Sequence, residues 1–402
     1  MDKLNHYRVL CWMCIVALGL LFSSPALAQG SKQVRNRKIR TVHIFLISMK
    51  LKYALHKWCT LLLAAGAVAC SNSTDQSKQV MEKNSYTSIA LHGGAGNLKK
   101  MKLSPEEEAE YLAAMDVALN LGDSILLNGG TSEEAVLRVI MFMEDFPLFN
   151  AGKGSVFNHD GVNEMDAAIM EGQSLKCGAV TGVRHIKNPI QAAWTVMHKS
   201  EHVLLSGLGA EEFAFQNGVQ RVDSTYFFVQ RRWDQLQEAL EEDKVSLDHD
   251  GSKKTSSTAF NKQDEGKYGT VGCVALDRYG NLCSGTSTGG LTNKKYGRIG
   301  DSPLIGAGTF ANNQSCAVSC TGRGEEFIRG TIASDISARM MYLHESAQDA
   351  TFQVVQKKLK ALKGRGGCIV VDATGNVAIE YTTSGMFRAY RDAQGRRVIA
   401  IY

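Results

Sequence analysis

Beyond residue 70 the chain has no Cys-x-x-Cys pair, and His-Glu-x-x-His occurs nowhere, so neither a structural zinc nor a zinc-hydrolase site is supported. A complete nucleotide-binding loop is also missing. Gly93 to Gly96 lacks the third glycine of the dinucleotide fingerprint, and Gly152-Lys-Gly-Ser155 lacks the Gly-Lys-Ser order of a P-loop. The formal charge of +5 is misleading, because residues 1–60 hold ten Lys/Arg and one acidic residue, leaving 35 basic against 39 acidic residues elsewhere. A mildly acidic body disfavours a nucleic-acid partner. With 402 residues, 44% of them hydrophobic, there is ample material for a buried core, in one or two domains.

The N-terminus carries two export-like signals in tandem. Residues 8–28 form an apolar run ending Ala26-Leu27-Ala28, like a secretory signal with its small-residue cleavage site. The second begins at Met49, with Lys50, Lys52 and Lys57 ahead of Leu61-Leu-Leu-Ala-Ala-Gly-Ala-Val-Ala-Cys70. About a dozen apolar residues are too few to span a bilayer as a helix and suit a signal core, although a pair of uncleaved anchors is the alternative. The small residue before Cys70 and the polar tail after it resemble a bacterial lipoprotein signal with a lipidated cysteine. Ala67, where such signals usually have leucine, departs from that pattern. On this reading residues 1–70 are an export leader, Met49 is the start, residues 1–48 over-extend it, and the protein is periplasmic or membrane-anchored.

Six of the ten cysteines lie beyond the leader. Cys316 and Cys320, if on one strand, stand about 13 Å apart by the strand rise, too far for a bridge. Cys273 and Cys283 flank a turn and could pair across a hairpin; buried free thiols are the other reading.

Past a polar tether at 71–86, Ser88 to Leu91 reads as a short buried strand running into glycines. Ser104, Pro105 and Glu106 to Glu108 mark a helix start, Thr131 and Glu134 have capping-box spacing, and a third helix opens at Asn188-Pro189. Arg323 to Leu343 predicts one long helix. Strands are expected at Val271–Leu276, Leu282–Ser287, Cys368–Val371 and Val377–Thr382, as two hairpins with Asp, Gly and Asn at matching turn positions. Residues 245–267 lack apolar periodicity and read as a mobile linker.

That linker ends just before Gly269-Thr270-Val271. A threonine hydroxyl is a weak nucleophile, but a threonine exposed as a new N-terminus carries an amine that can act as its own base. A cut before Thr270 would therefore create an active site, although Gly-Thr ahead of a strand is, taken alone, usually just a turn. Three more blocks stand with it: Leu91-His-Gly-Gly-Ala-Gly96; Phe149-Asn-Ala-Gly-Lys-Gly-Ser155 with Glu164-Met-Asp-Ala-Ala-Ile-Met170; and Gly285-Thr-Ser-Thr-Gly-Gly290 followed by Gly297-Arg-Ile-Gly-Asp-Ser-Pro303. With Cys320-Thr-Gly-Arg-Gly-Glu325, their order and approximate spacing resemble the plant-type asparaginases, or isoaspartyl peptidases, of the N-terminal nucleophile hydrolase superfamily. The resemblance covers about residues 86 to 402.

The resemblance implies an α+β fold, a four-layer αββα sandwich, split after cutting into an α part, 71–269, and a β part, 270–402. It implies Thr270 as nucleophile, supported by Thr288; the Thr321 hydroxyl and Gly322 N–H as oxyanion donors; and Asn150 ordering the site. Arg298 and Asp301 would receive the α-carboxylate and α-ammonium of an asparagine or a β-aspartyl peptide, which otherwise read as a surface Arg/Asp pair. A structural sodium would sit on the backbone carbonyls of Met143, Glu144, Phe146, Phe149, Ala151 and Lys153, with no organic cofactor, in a dimer of α–β pairs. The implied activity is that of a β-aspartyl peptidase with asparaginase activity, and both substrates present the same aspartyl head. Glycosylasparaginase is the nearest rival, but typically has Thr-Ser-Thr-Asn-Gly and an Asp before the nucleophile, where Thr-Ser-Thr-Gly-Gly and Gly269 stand here. A noncatalytic surface lipoprotein is the rival from another class.

Overall fold

The computed structural model describes residues 86–98, 103–248 and 269–402, all within one compact unit, Met81–Tyr402. The leader with Cys70, residues 71–85 of the expected tether and residues 249–267 of the expected linker lie outside the described residues.

Twelve strands among the described residues form two sheets. They are β1 (Ser88–Gly96), β2 (Met165–Glu171), β3 (Cys177–Val183), β4 (Leu204–Ser206), β5 (Val271–Leu276), β6 (Leu282–Thr288), β7 (Thr309–Ala311), β8 (Cys316–Gly322), β9 (Gly366–Asp372), β10 (Val377–Tyr381), β11 (Gly385–Arg391) and β12 (Arg397–Ala400). The larger sheet has the order β12-β11-β1-β5-β6-β2-β3-β4, and the smaller β10-β9-β8-β7. Every residue of β1, β5 and β6 is buried, which is why these strands read as continuous runs of apolar and small residues rather than as an alternation.

Both expected hairpins form, one in each sheet. The Asp277 carboxylate accepts from the Tyr279 and Asn281 N–H groups, the Asp372 carboxylate from those of Thr374 and Asn376, and Gly280 and Gly375 both take φ +81°. The cysteines on these strands are free. Cys273 faces Gly285 and Cys283 faces Ala275, so the two thiols are diagonal rather than opposite, and no bridge joins them.

Helices pack on both sheets. α1 (Pro105–Leu127) begins with the full Ser104/Glu107 capping box, and α2 (Ser132–Asp145) with Thr131 accepting from the Glu134 N–H. α3 (Pro189–Lys199) starts at Pro189, though the Asn188 side chain turns away from it to Asp145. α4 (Gly207–Gln216) and α5 (Gln230–Asp248) follow; α5 takes in residues 245–248, which the sequence reading assigned to the linker.

The single helix expected over Arg323 to Leu343 is two, α6 (Gly324–Gly330) and α7 (Ile332–Leu343). Thr331 breaks them at φ +47°, and the first free N–H groups of α7, on Ala333 and Ser334, bond to the carbonyls of Ala307 and Gly306. Tertiary partners replaced the preceding helical turn, while Phe327 and Ile332 stayed in one apolar cluster, so the hydrophobic period runs through the break unaltered. α8 (Ala347–Phe352) continues as a π-turn over Gln353–Leu359.

Three apolar clusters fill the unit. One joins α1, α2 and α3 to the larger sheet, through residues such as Leu119, Ile140 and Val271. Another draws Val274 and Leu282 of the larger sheet together with Ala317 and Ile369 of the smaller. The third sets Val318 and Val370 against α6, α7 and α8.

Candidate active site

Thr270 stands immediately before β5, where that strand lies between β1 and β6. Burial leaves it 8% exposed, and its hydroxyl donates to the Thr288 hydroxyl at 3.1 Å. The β5–β6 hairpin makes this contact, since antiparallel return brings the end of β6 back to the start of β5. Thr288 Oγ1 also accepts the Gly290 N–H at 2.9 Å, which fixes the oxygen that Thr270 meets.

Around the Gly269–Thr270 bond the packing leaves no room for a side chain on Gly269 or Gly94. A Cβ on Gly269 would lie 2.8 Å from that of Asn150, and a Cβ on Gly94 would lie 2.6 Å from the Gly269 Cα. Gly94 has φ +116° beside a register shift in β1, a backbone shape that glycine tolerates. The Gly269 carbonyl accepts the Asn150 N–H at 3.1 Å. Asn150 itself is 1% exposed, and its side chain binds the Gly290 carbonyl at 2.8 Å and the Val156 N–H at 3.0 Å. One residue thus ties the segment before Thr270 to the glycines after Thr288.

Thr321, at the end of β8, is 1% exposed, and its hydroxyl accepts the Ala95 N–H at 3.3 Å, one residue from Gly94. Gly322 follows at φ +155°, just ahead of α6. Arg298 lies in the loop after β6, with Nη1 3.6 Å from where a Gly290 Cβ would stand. Its guanidinium is bound twice by Glu325 of α6, at 3.0 Å on each side. Asp301 is 4% exposed, its Oδ2 has no partner, and Gly308 and Gly324 leave room for its two oxygens. Burial pushes its carboxyl up to about 7, against the pull of its own backbone N–H and Arg298 and with the push of Glu325.

Of the sequence-derived set, Gly269, Thr270, Thr288 and Asn150 are joined by direct contacts. Thr321 reaches them through Ala95 and Gly94, Arg298 through Gly290, and Asp301 borders the start of α6. The segment Met143 to Lys153, which runs from the last turn of α2 into a 3-10 turn at Gly152–Gly154, folds back on itself: a Cβ on Gly152 would be 2.4 Å from the Glu144 carbonyl oxygen, at φ +49°. Glu144 is fully buried and accepts the Ser287 hydroxyl at 2.6 Å and the Ile190 N–H at 2.9 Å, with Oε2 unpartnered. Burial lifts its carboxyl to about 8, and the Ser287, Ile190 and Asn188 hydrogen bonds only partly offset that.

Sequence reasoning gave no role to His92, Ser319 or Glu325. His92 and Glu325 stood inside the quoted blocks; the signal for His92 was a lone histidine in an otherwise apolar strand. A cavity of about 450 Å³, lined by Arg298, Lys294, Asp166 and Arg184 among others, also went unforeseen, because it is assembled from separate loops.

Comparison with known proteins gives the family of the chain. A family model described as asparaginase matches residues 85–401. The chain belongs to this asparaginase family, in the N-terminal nucleophile hydrolase superfamily. It is 46% identical over 314 residues to an isoaspartyl peptidase of Escherichia coli strain K12, covering 78% of this chain and 95% of that protein. It is also similar to an isoaspartyl peptidase/L-asparaginase of Rattus norvegicus, 37% identical over 302 residues, covering 74% and 84% of the two chains. A protein of the same description from Danio rerio is 36% identical over 308 residues, 74% of this chain and 90% of its own.

Proposed function

We propose that this chain is an isoaspartyl peptidase with L-asparaginase activity, activated by cutting itself between Gly269 and Thr270. The observation that carries this reading is the buried Thr270 hydroxyl, 3.1 Å from Thr288, beside a Gly269 carbonyl held by the Asn150 N–H. In the cut, Thr270 Oγ1 attacks the Gly269 carbonyl, the Asn150 N–H steadies the developing oxyanion, and the peptide nitrogen takes the proton as it departs. Water then opens the resulting ester and frees residues 71–269 from residues 270–402.

The new Thr270 amine, with a reference pKa of about 7.7–8.0, is substantially neutral at working pH and serves as base for the same hydroxyl. Arg298 receives the substrate's α-carboxylate and Asp301 its α-ammonium; the unpartnered Asp301 oxygen supports that role. Thr270 attacks the side-chain carbonyl, the Thr321 hydroxyl and Gly322 N–H receive the oxyanion, and the leaving amine departs protonated. Water releases aspartate from the β-aspartyl ester.

The three apolar clusters support a four-layer αββα sandwich, helices outside two facing sheets. A hard cation fits the carbonyl-rich turn around Gly152, whose cradle a Cβ would fill. Met143, Glu144, Phe146, Phe149, Ala151 and Lys153 would hold a sodium there and brace Asn150, with no part in bond making. We assign the leader to export and Cys70 to a lipid anchor, and the assembly to a dimer of α–β pairs. Among the described residues no helix is long and apolar enough to cross a membrane.

Denaturing gels, N-terminal sequencing and hydrolysis of asparagine, β-Asp-Leu and a glycosylated asparagine test the reading. Two fragments, the smaller beginning Thr-Val-Gly-Cys, and hydrolysis of the first two substrates are expected. Preference for the glycosylated substrate would move the chain to the rival branch, and an uncut, inert chain would end the enzymatic reading.

A further inference from the structure

His92 is fully buried in β1, opposite Gly272 of β5. A Cβ on Gly272 would come within 2.3 Å of His92 Nε2 and 2.0 Å of Ser319 Oγ, so the bare glycine is what lets the ring reach across to β8. Nδ1 lies 3.0 Å from the Thr270 carbonyl oxygen, and Nε2 lies 2.9 Å from Ser319 Oγ. A carbonyl oxygen can only accept, so Nδ1 carries the hydrogen, and in the neutral ring Nε2 is then bare. Ser319 must then donate to Nε2. With that proton committed, the Thr286 hydroxyl donates to Ser319 Oγ at 2.8 Å in preference to the Gly308 carbonyl at 3.3 Å, and the Thr309 hydroxyl to Thr286 at 2.7 Å in preference to the Ser302 carbonyl at 3.0 Å. Two hydroxyl oxygens this close need a hydrogen between them and each hydroxyl has only one, so the relay runs in one direction and ends on Thr270. Burial favours the neutral ring in the same sense, holding the imidazole down to about 3 although the Thr270 carbonyl favours its protonated form.

Thr270 lies outside the strand ladders. Pairing of β5 begins with Val271 opposite Ser287 and Gly272 opposite His92. After the cut Thr270 is a chain terminus, and termini fray unless tied down. Two side-chain hydrogen bonds hold it, the carbonyl to His92 and the hydroxyl to Thr288.

We propose that His92 is a positioning residue for the nucleophile: held as the Nδ1–H tautomer by the Thr270 carbonyl and accepting at Nε2 from the Ser319–Thr286–Thr309 relay, it pins that carbonyl so that the hydroxyl stays against Thr288 after cleavage. The assignment rests on the function proposed above. It acts through Thr270 and never touches substrate, so its loss lowers turnover rather than substrate affinity. A displacement of about 1 Å at a reacting atom costs on the order of a hundredfold in rate.

The experiment compares the cleaved forms of wild type, His92→Leu, His92→Asn and Ser319→Ala with β-Asp-Leu, and records the ¹⁵N spectrum of histidine-labelled wild type. His92→Leu is expected to lower kcat by about ten- to a hundredfold while KM moves less than about twofold. His92→Asn, whose amide can place an N–H where Nδ1 stands, recovers most of that loss. Ser319→Ala, which removes the donor to Nε2 but leaves the Nδ1–H bond to Thr270, lowers kcat less than His92→Leu does. The spectrum shows an Nδ1–H, bare-Nε2 ring that does not titrate from about pH 5 to about pH 9.

Wild-type kcat in cleaved His92→Leu, an asparagine variant no better than leucine, or an Nε2–H or titrating ring would each overturn the proposal. Where His92→Leu fails to fold, the wild-type spectrum and Ser319→Ala decide. A wild-type chain that never cuts counts against the proposed function instead, and the spectrum reads the tautomer in cut and uncut chains alike.

Discussion

Arg298 and Glu325 are joined by two parallel hydrogen bonds, Nε to Oε1 and Nη2 to Oε2, each 3.0 Å. The pair is partly open to solvent, with Arg298 17% and Glu325 41% exposed, so it adds little to stability. Its consequence is for binding. On the function proposed here, an arriving α-carboxylate must share or displace Glu325 from the guanidinium, and one carboxylate for another is a nearly even exchange.

Arg298→Ala should therefore lower kcat/KM for β-Asp-Leu by about thirtyfold or more, the lower end of the roughly 2–5 kcal/mol lost when a desolvated charge loses its partner. Self-cleavage should be untouched, since it needs no substrate head group. Glu325→Gln removes the competing charge while keeping the shape, so KM should fall or stay within about twofold. Steady-state kinetics decide: equal losses in the two variants would make Glu325 part of the substrate grip rather than its competitor.

Asp301 leads to a pH dependence. Burial raises its carboxyl to about 7, so the anion proposed to bind the ammonium forms in the free enzyme only as pH rises through that value. Once the ammonium is bound it favours the charged form and moves the titration lower. An acid limb near pH 7 should appear in kcat/KM and shift down in kcat. Identical limbs in both would show that Asp301 does not meet the ammonium.

His92 leaves its mark on stability. Its folded-state value of about 3 is below its ordinary 6.5, so between those pH values the unfolded chain binds the extra proton. Stability from this group is complete above the ordinary value and lost as pH falls, at about 1.4 kcal/mol per pH unit. Glu144 has the opposite sign: its folded value of about 8 is above its ordinary 4.5, so it disfavours folding as pH rises between them. The two overlap in wild type, which makes a difference measurement necessary. Urea unfolding of wild type and His92→Asn should give a wild-type curve that gains on the variant as pH rises to about 6.5 and runs parallel above it. A gap independent of pH would mean that the ring is not held neutral.

Much of the fold was legible because local rules and tertiary packing agreed. Ser104 and Thr131 cap the helices they announced, and Asp277 and Asp372 build the turns that Asp, Gly and Asn implied. The break at Thr331 was not legible, since the partners that replace the helical bonds are the Gly306 and Ala307 carbonyls, distant in sequence. Likewise Thr270, Thr288 and Asn150 were readable from their blocks. The hold of Glu325 on Arg298 and of His92 on Thr270 was not, because each depends on register between strands and helices that no spacing encodes.

The proposed cleavage makes the sharpest demand on the sequence. Thr270→Ala should stay intact and inactive, and Thr270→Ser should cut slowly, because it keeps a hydroxyl without the threonine methyl that restricts its rotamers. Gly94 separates sterics from chemistry. Alanine there would bring its Cβ to 2.6 Å from the Gly269 Cα, pushing the scissile carbonyl away from the Asn150 N–H. Backbone strain alone would cost about 1–2 kcal/mol at a positive φ. Gly218→Ala controls for that strain, since Gly218 has φ +85° and a methyl added there would meet nothing within 4 Å. Gly94→Ala should remain a single band on a denaturing gel, while Gly218→Ala should be less stable yet cut fully. Normal cutting by Gly94→Ala would show that the contact between β1 and Gly269 does not set the geometry of the cut.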